Sequence, residues 1–408
     1  MLRSYLLMCL SLTTLLVLTG CQKKTEGSSA SVATASAASI SDASGASAEP
    51  AEVNGMPVVH LKREQAGTEP QFVSATILPG RGMNVFKVHA YFPGLGVIPV
   101  IESPSLAVAN SQDYGTAKDA YGDQSFAFGG AFLTPYPNRV LGKLSADGKT
   151  ITTYWEGHKL VLPANWHNSA HPDLDKHAMH GLILKENASN VVVRKTPDGE
   201  VVTADMKDAF GNHWLSKTDL HFQLTLAADA FDAQVTATNV GKQDEPISIA
   251  WHPYLTIPSG RHAQTKLSVP ATMHTEVNNY QDVFPTGKLT SVKGTRFDFN
   301  TPEGRPLADG YLDDNWSHLE RKDGKVVVSI FDPASGYGVS EIGLSPQIRT
   351  LQVYSPPTAK FVVVEQQFNF ADPFGKEWHG MDTGMVTLKP GQSVTWHVQL
   401  KLFKIPKS

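Results

Sequence analysis

An all-β fold, a large antiparallel β-sandwich, is what this sequence predicts, and three features carry that expectation. Apolar residues after Met56 recur mostly at every second position, the period of a half-buried strand. Helical spacing sustained over three turns is hard to find. The 33 glycines and 26 prolines cut the chain into short pieces, as a body of many short strands requires. The clearest runs are Phe222, Leu224 and Leu226; Phe231, Ala233, Val235 and Ala237; and Val394, Trp396, Val398, Leu400 and Leu402, each alternating with polar neighbours. In such a body one sheet face converges on a ligand while the other packs the core, so a site assembled from residues distant in sequence is expected.

The chain opens with Arg3, an apolar run from Leu6 to Leu18, and Leu18-Thr19-Gly20-Cys21. That is a secretory signal, too short to span a membrane permanently. Its ending resembles the lipobox of bacterial lipoproteins, which implies removal of residues 1–20 and a lipid on Cys21; an ordinary secretory signal with a chance cysteine is the alternative. Residues 21–55 are mostly Ser, Ala, Thr and Gly and read as a flexible tether, and residues 56–408 as one large folded domain, since no second linker or repeat interrupts them. Gln22 follows the cysteine where aspartate would favour the inner membrane in many Gram-negative bacteria. The expected location is therefore the periplasmic face of a membrane, in the first instance the outer one.

Only Cys9 and Cys21 occur, so a processed body would hold no free thiol for a disulfide, a nucleophile or a thiolate metal site. The 35 basic and 39 acidic side chains give a net charge of -4; loss of Arg3 leaves 34 against 39, or -5, and nothing in that balance suggests nucleic acid as a partner.

Five clusters could carry chemistry. Gly129-Gly130 precede Pro135-Tyr136-Pro137-Asn138-Arg139-Val140, where an arginine fork beside an asparagine suits hydroxyl or carboxylate groups, although a surface turn has the same composition. His177-Ala178-Met179-His180-Gly181 follow His158, His167 and His171; the spacings are irregular for a metal site, so a hydrogen-bonding histidine or a plain loop is expected. Trp251-His252-Pro253-Tyr254 place an imidazole before a proline, where a strand is expected to end, and such a histidine is often a core residue. Leu312-Asp313-Asp314-Asn315-Trp316 read locally as an acidic turn. In Phe361 to Gln367, alternation puts Phe361, Val363, Glu365 and Gln367 on one face; burial there would raise the carboxyl pKa and prepare Glu365 as a general base.

Taken in order, these clusters resemble the aldose 1-epimerase family, the galactose mutarotases. The succession also includes Gln352-Val353-Tyr354-Ser355, Ala371-Asp372-Pro373 and Leu388-Lys389-Pro390-Gly391, and the resemblance extends from about Lys87 to Phe403. It implies the mutarotase-like supersandwich fold, Glu365 as general base and His252 as general acid. Arg139, His180 and Asp313, with Asn138 beside them, would bind the hydroxyls of a glucose- or galactose-type monosaccharide, and no metal or other cofactor is implied. Asp313 is preferred to Asp314 by alignment alone. The chain departs from the family after His180, where Leu182-Ile183 stand in place of a second glycine and a nearby tryptophan, and in a longer, histidine-rich stretch from Asn165 to Asp175.

The chemistry independently asks for such a set. Interconverting anomers needs a base at the C1 hydroxyl and an acid at the ring oxygen, which exchange roles on closure. Two other readings stand beside this one: a hexose-6-phosphate 1-epimerase, which would need clustered cations near the site, and a carbohydrate-binding surface lipoprotein without catalysis, which keeps the fold but not the reaction.

Overall fold

The computed structural model describes residues 49–406 except 108–118, 169, 172 and 175; the expected signal peptide, Cys21 and nearly all of the tether lie outside the described residues. Two extended sheets dominate, one of nine strands and one of eleven. The three alternating runs found in the sequence become neighbours in the nine-stranded sheet, as Thr218–Leu226, Phe231–Asn239 and Ser393–Lys404. Phe222 faces Val235 and Val235 faces Trp396 in register, so residues far apart in the chain form one apolar row. All three are completely buried. At about 1.5 to 3 kcal/mol for each large side chain removed from water, such rows are what press the sheets together.

The eleven-stranded sheet supplies the other wall. Across it run Ala271–Val277, Leu312–Leu319, Thr350–Ser355, Phe361–Gln367 and Ala250–Thr256, each hydrogen-bonded to the next, and Gly130–Leu133 pairs with the last of them. Phe132 joins the two walls: its ring centroid lies 5.5 Å from Phe222, 6.2 Å from Trp251 and 6.1 Å from Trp396. The backbone of Phe361–Gln367 is fixed from behind, because the Trp396 indole N–H donates to the Gln366 carbonyl at 2.8 Å.

Three local expectations change. The strand does not end at His252-Pro253 but runs on to Thr256. Proline lacks a donor, and here it sits where the strand changes partner: Ala250 to Pro253 pair with Gly130–Leu133, while Tyr254 to Thr256 pair with Phe361–Gln367. Asp313-Asp314 is not a turn but part of the strand Leu312–Leu319, held by Leu312 and Trp316, which bury inward on one face. The folded body also starts ahead of Met56, since Glu52–Val53 pair with Met56–Pro57 and Val53 packs into a small cluster with Leu78, Phe86 and Phe128.

Candidate active site

The centre of the site is made by two adjacent strands. Tyr254 lies opposite Val363 across the antiparallel pair formed by Ala250–Thr256 and Phe361–Gln367, and the two-residue period then puts His252 and Glu365 on the same face. His252 Nε2 lies 3.6 Å from Glu365 Oε1. This is longer than a good direct hydrogen bond, so the two groups are adjacent without being bonded to each other. Val362 and Val364 point the other way, into the main core. The pair is deeply placed, with His252 5% and Glu365 2% exposed, and Glu365 Oε2 has no hydrogen-bond partner.

His180 joins them, its ring 5.2 Å from that of His252. Phe126 packs against both imidazoles, at 4.8 Å and 6.3 Å, and Tyr254 lies 5.1 Å from His252 with its hydroxyl donated to the Phe126 carbonyl. The backbone around His180 is unusual. His180 (φ 61°) and Asn138 (φ 65°) both occupy the left-handed region, and the His180 N–H donates to the Asn138 carbonyl at 2.9 Å. Non-glycine residues in that region persist only where surroundings hold them, and they concentrate at functional sites. Gly181, next in sequence, has φ 82°, and a Cβ there would lie 2.1 Å from the Thr134 carbonyl oxygen, so only glycine lets the His180 loop approach this closely.

A polar network flanks the pair. Arg139 Nη2 lies 2.9 Å from Asp313 Oδ2, the Gln352 amide donates to Asp313 Oδ1 at 2.7 Å, and the Asn138 amide donates to Gln352 Oε1 at 3.0 Å. Asn138 Oδ1 accepts from the Arg139 backbone and guanidinium, so its side chain holds its neighbours in place. Arg139 itself is anchored by Asp372, whose N–H donates to the Arg139 carbonyl at 2.7 Å and whose Oδ1 accepts from the Leu141 N–H at 2.9 Å. The first cluster is thus not a solvated turn.

Alternation separates the two aspartates. Asp313 joins Arg139 and Gln352, whereas Asp314 points to the opposite face, fully buried, 2.8 Å from His274 Nε2 and accepting the Tyr280 hydroxyl at 2.7 Å. The two should therefore fail differently. Asp313→Ala is expected to lower kcat/KM as well as melting temperature, because it strands the Gln352 amide and the Arg139 guanidinium; Asp314→Ala strands buried donors on the other face and is expected to destabilise by about 1 to 3 kcal/mol with little change in kcat/KM. Thermal melts beside kinetics check this, and the reverse pattern would reassign them.

Burial sets the protonation of the centre. It pushes the His252 imidazole down to about 4, with the Arg139 charge adding to the effect. It raises the Glu365 carboxyl well above its ordinary value; Asp313 pushes in the same direction and Arg139 opposes it. His180 is likewise held well below the usual imidazole range by burial, and then by His252 and Arg139. All three groups are biased toward their neutral forms.

The structure thus brings Glu365, His252, His180, Arg139, Asp313 and Asn138 together. Of the candidate aromatics, Trp251 and Trp316 are core, while Tyr254 and Tyr354 pack with Phe361 and Val363 on the site face. Gly130 packs against the core: a Cβ there would lie 2.5 Å from Trp251 Nε1, whose N–H donates to the Gly130 carbonyl at 3.0 Å. Sequence reasoning missed Gln352, Phe126 and Asp372 as parts of the site. Gln352 was findable in principle, since it lies opposite Glu365 in register; Phe126 has no signal in the local pattern.

A family model for aldose 1-epimerase matches residues 109–401. Among curated proteins, no sequence matches this chain. Solved structures share the fold: a galactose mutarotase-like protein from Clostridium acetobutylicum (TM-score 0.66, 16% identity, covering 85% of this chain and 98% of that one), an aldose epimerase homologue from C. elegans (TM-score 0.60, 18% identity, 84% and 100%), and a galactose 1-epimerase from Lactobacillus acidophilus (TM-score 0.58, 15% identity, 86% and 99%).

Proposed function

The chain belongs to the aldose 1-epimerase family, and we propose that it interconverts the α and β anomers of a free aldose by acid and base catalysis at Glu365 and His252. The observation that carries this reading is the 3.6 Å separation of His252 Nε2 and Glu365 Oε1 on one buried sheet face. In the productive state Glu365 takes the proton of the C1 hydroxyl while His252 protonates the ring oxygen. The C1 to ring-oxygen bond breaks, the open-chain aldehyde rotates about C1–C2, and closure runs the transfers backward. The pair needs one proton between its two members, so that one acts as acid while the other acts as base, and each transfer supplies ~10² to 10⁴ in rate.

Arg139, Asp313 and His180 orient the sugar hydroxyls, with Gln352 and Asn138 holding the first two. The guanidinium is already engaged by Asp313 at 2.9 Å, which argues against a sugar phosphate as the natural substrate. Retention of both reacting groups at the centre argues for catalysis over passive binding. The test is polarimetry of freshly dissolved α-D-glucose, α-D-galactose and other aldoses with the domain from Glu49 onward. Saturable acceleration for at least one sugar is expected; none with any common aldose would demote the protein to a binder.

We also propose that Cys21 is lipidated and holds the enzyme on the periplasmic face of a membrane, in the first instance the outer one. The support is the lipobox-like Leu18-Thr19-Gly20-Cys21 and the Ser- and Ala-rich tether after it. Fatty-acid labelling should follow the cysteine, and label persisting in Cys21→Ala would reject the anchor.

A further inference from the structure

The backbone decides where His180 points. Its Nδ1 has no hydrogen-bond partner, its φ of 61° lies in the left-handed region, and Gly181 follows at φ 82°. The direction of the imidazole is therefore set by what grips the chain around it. From one side the Asn138 carbonyl accepts the His180 N–H at 2.9 Å. From the other comes the histidine-rich stretch that opens with Asn165.

Trp166 and His177 exchange both backbone hydrogen bonds, at 3.0 and 3.1 Å, as opposed residues of two antiparallel strands do. Two residues further on, at Met179, the side chain of Asn165 takes the place of the partner strand. Its Oδ1 accepts the Met179 N–H at 2.8 Å and its Nδ2 donates to the Met179 carbonyl at 3.0 Å, so one amide engages both polar groups of the residue before His180. Nδ2 also donates to Asp123 Oδ1 at 2.7 Å. An acceptor at that position fixes which end of the amide is the nitrogen.

Asp123 and Phe126 belong to one short turn, Asp123–Phe126. Buried Ser125 locks it, its hydroxyl donating to the Leu184 carbonyl at 2.6 Å and accepting from Arg81 Nε at 2.9 Å. The turn thus acts on His180 twice: through Asp123, Asn165 and the Met179 backbone, and through the Phe126 ring, 4.8 Å from the imidazole. Trp166, next to Asn165, packs its ring 5.4 Å from that of Phe126.

We infer that Asn165 is a positioning residue for sugar recognition: it holds Met179, and through it the His180 imidazole, in the direction that meets a sugar hydroxyl, with Asp123 setting the amide. The inference rests on the epimerase reading, which places a sugar against His180. That hydroxyl contact is made before and during ring opening alike, so its loss weakens binding and leaves the chemical step nearly untouched.

The test compares wild-type protein with Asn165→Ala, Asp123→Ala and Asp123→Asn. Anomeric-exchange kinetics are paired with thermal melts and with calorimetric binding of the anhydro-alditols of glucose and galactose, which lack the anomeric hydroxyl and are not turned over. Asn165→Ala is expected to raise KM about tenfold and to weaken anhydro-alditol binding by a similar factor, with kcat within about threefold of wild type. Asp123→Asn keeps an oxygen that accepts from Asn165 and should stay near wild type, whereas Asp123→Ala should raise KM although every contact to Met179 is kept. A lowered melting temperature with KM and binding unchanged would overturn the inference, as would a fall in kcat at constant KM. Should Asn165→Ala fold poorly, the two Asp123 variants carry the comparison, and equal KM in both overturns it. If no aldose is turned over, the epimerase reading falls by itself: weaker anhydro-alditol binding in Asn165→Ala still upholds the positioning role, and unchanged or undetectable binding removes it.

Discussion

Glu365→Gln is expected to lower kcat by ~10² to 10⁴ while leaving melting temperature unchanged or higher. The amide keeps the shape of the carboxyl but cannot take a proton from the C1 hydroxyl. Stability moves differently because burial already biases Glu365 to its neutral form, and a neutral amide removes the penalty of a buried charge. His252→Asn should be similarly inactive. The double variant should fall no further than the worse single, because two groups passing protons through one sugar act as a unit. Kinetics paired with thermal melts check this; a Glu365→Gln protein that keeps its rate would remove Glu365 from the chemistry.

The second large effect is on pH. Catalysis requires one proton on the pair. As pH falls, a second proton loads His252, whose imidazole burial has pushed down to about 4, so neither group is left as a base and the rate falls on the acid side near there. As pH rises, the last proton leaves a carboxyl whose pKa is raised, so no acid remains and the rate falls again. The kcat/KM profile of the free enzyme is therefore expected to be a bell with an acid limb below the ordinary histidine range. A single ascending limb near 6.5, the signature of an unperturbed imidazole, would contradict this.

Much of the fold was legible because a strand period of two survives wherever one face is buried. Phe222, Val235 and Trp396 could be read as inward-facing from their polar neighbours alone, and they meet in register. The same period correctly grouped Phe361, Val363 and Glu365. It could not show that both faces of that strand are buried, since a carboxylate beside valines is also consistent with an edge strand. Local rules failed where tertiary pairing overrides them. Pro253 reads as a stop, yet its missing donor falls at a change of strand partner. Asp313-Asp314 read as a turn, yet each acid has its own buried partners on its own face. Side-chain direction separates the two acids, with Asp313 on the face of Arg139 and Gln352 and Asp314 on that of His274. Phe126 stayed invisible because it meets His180 and His252 only through long-range contact.

Glu365 and His252 are expected to move protons and open the ring without touching the bond between C1 and its exocyclic oxygen. Anomerisation of glucose or galactose in ¹⁸O-enriched water tests it most directly, following anomeric exchange by NMR and oxygen incorporation by mass spectrometry on the same sample. Many turnovers per enzyme are expected, with incorporation at C1 no faster than in the enzyme-free control. One labelled oxygen gained per turnover would mean that the exocyclic bond breaks, with Glu365 acting as a nucleophile or toward water, and would contradict it.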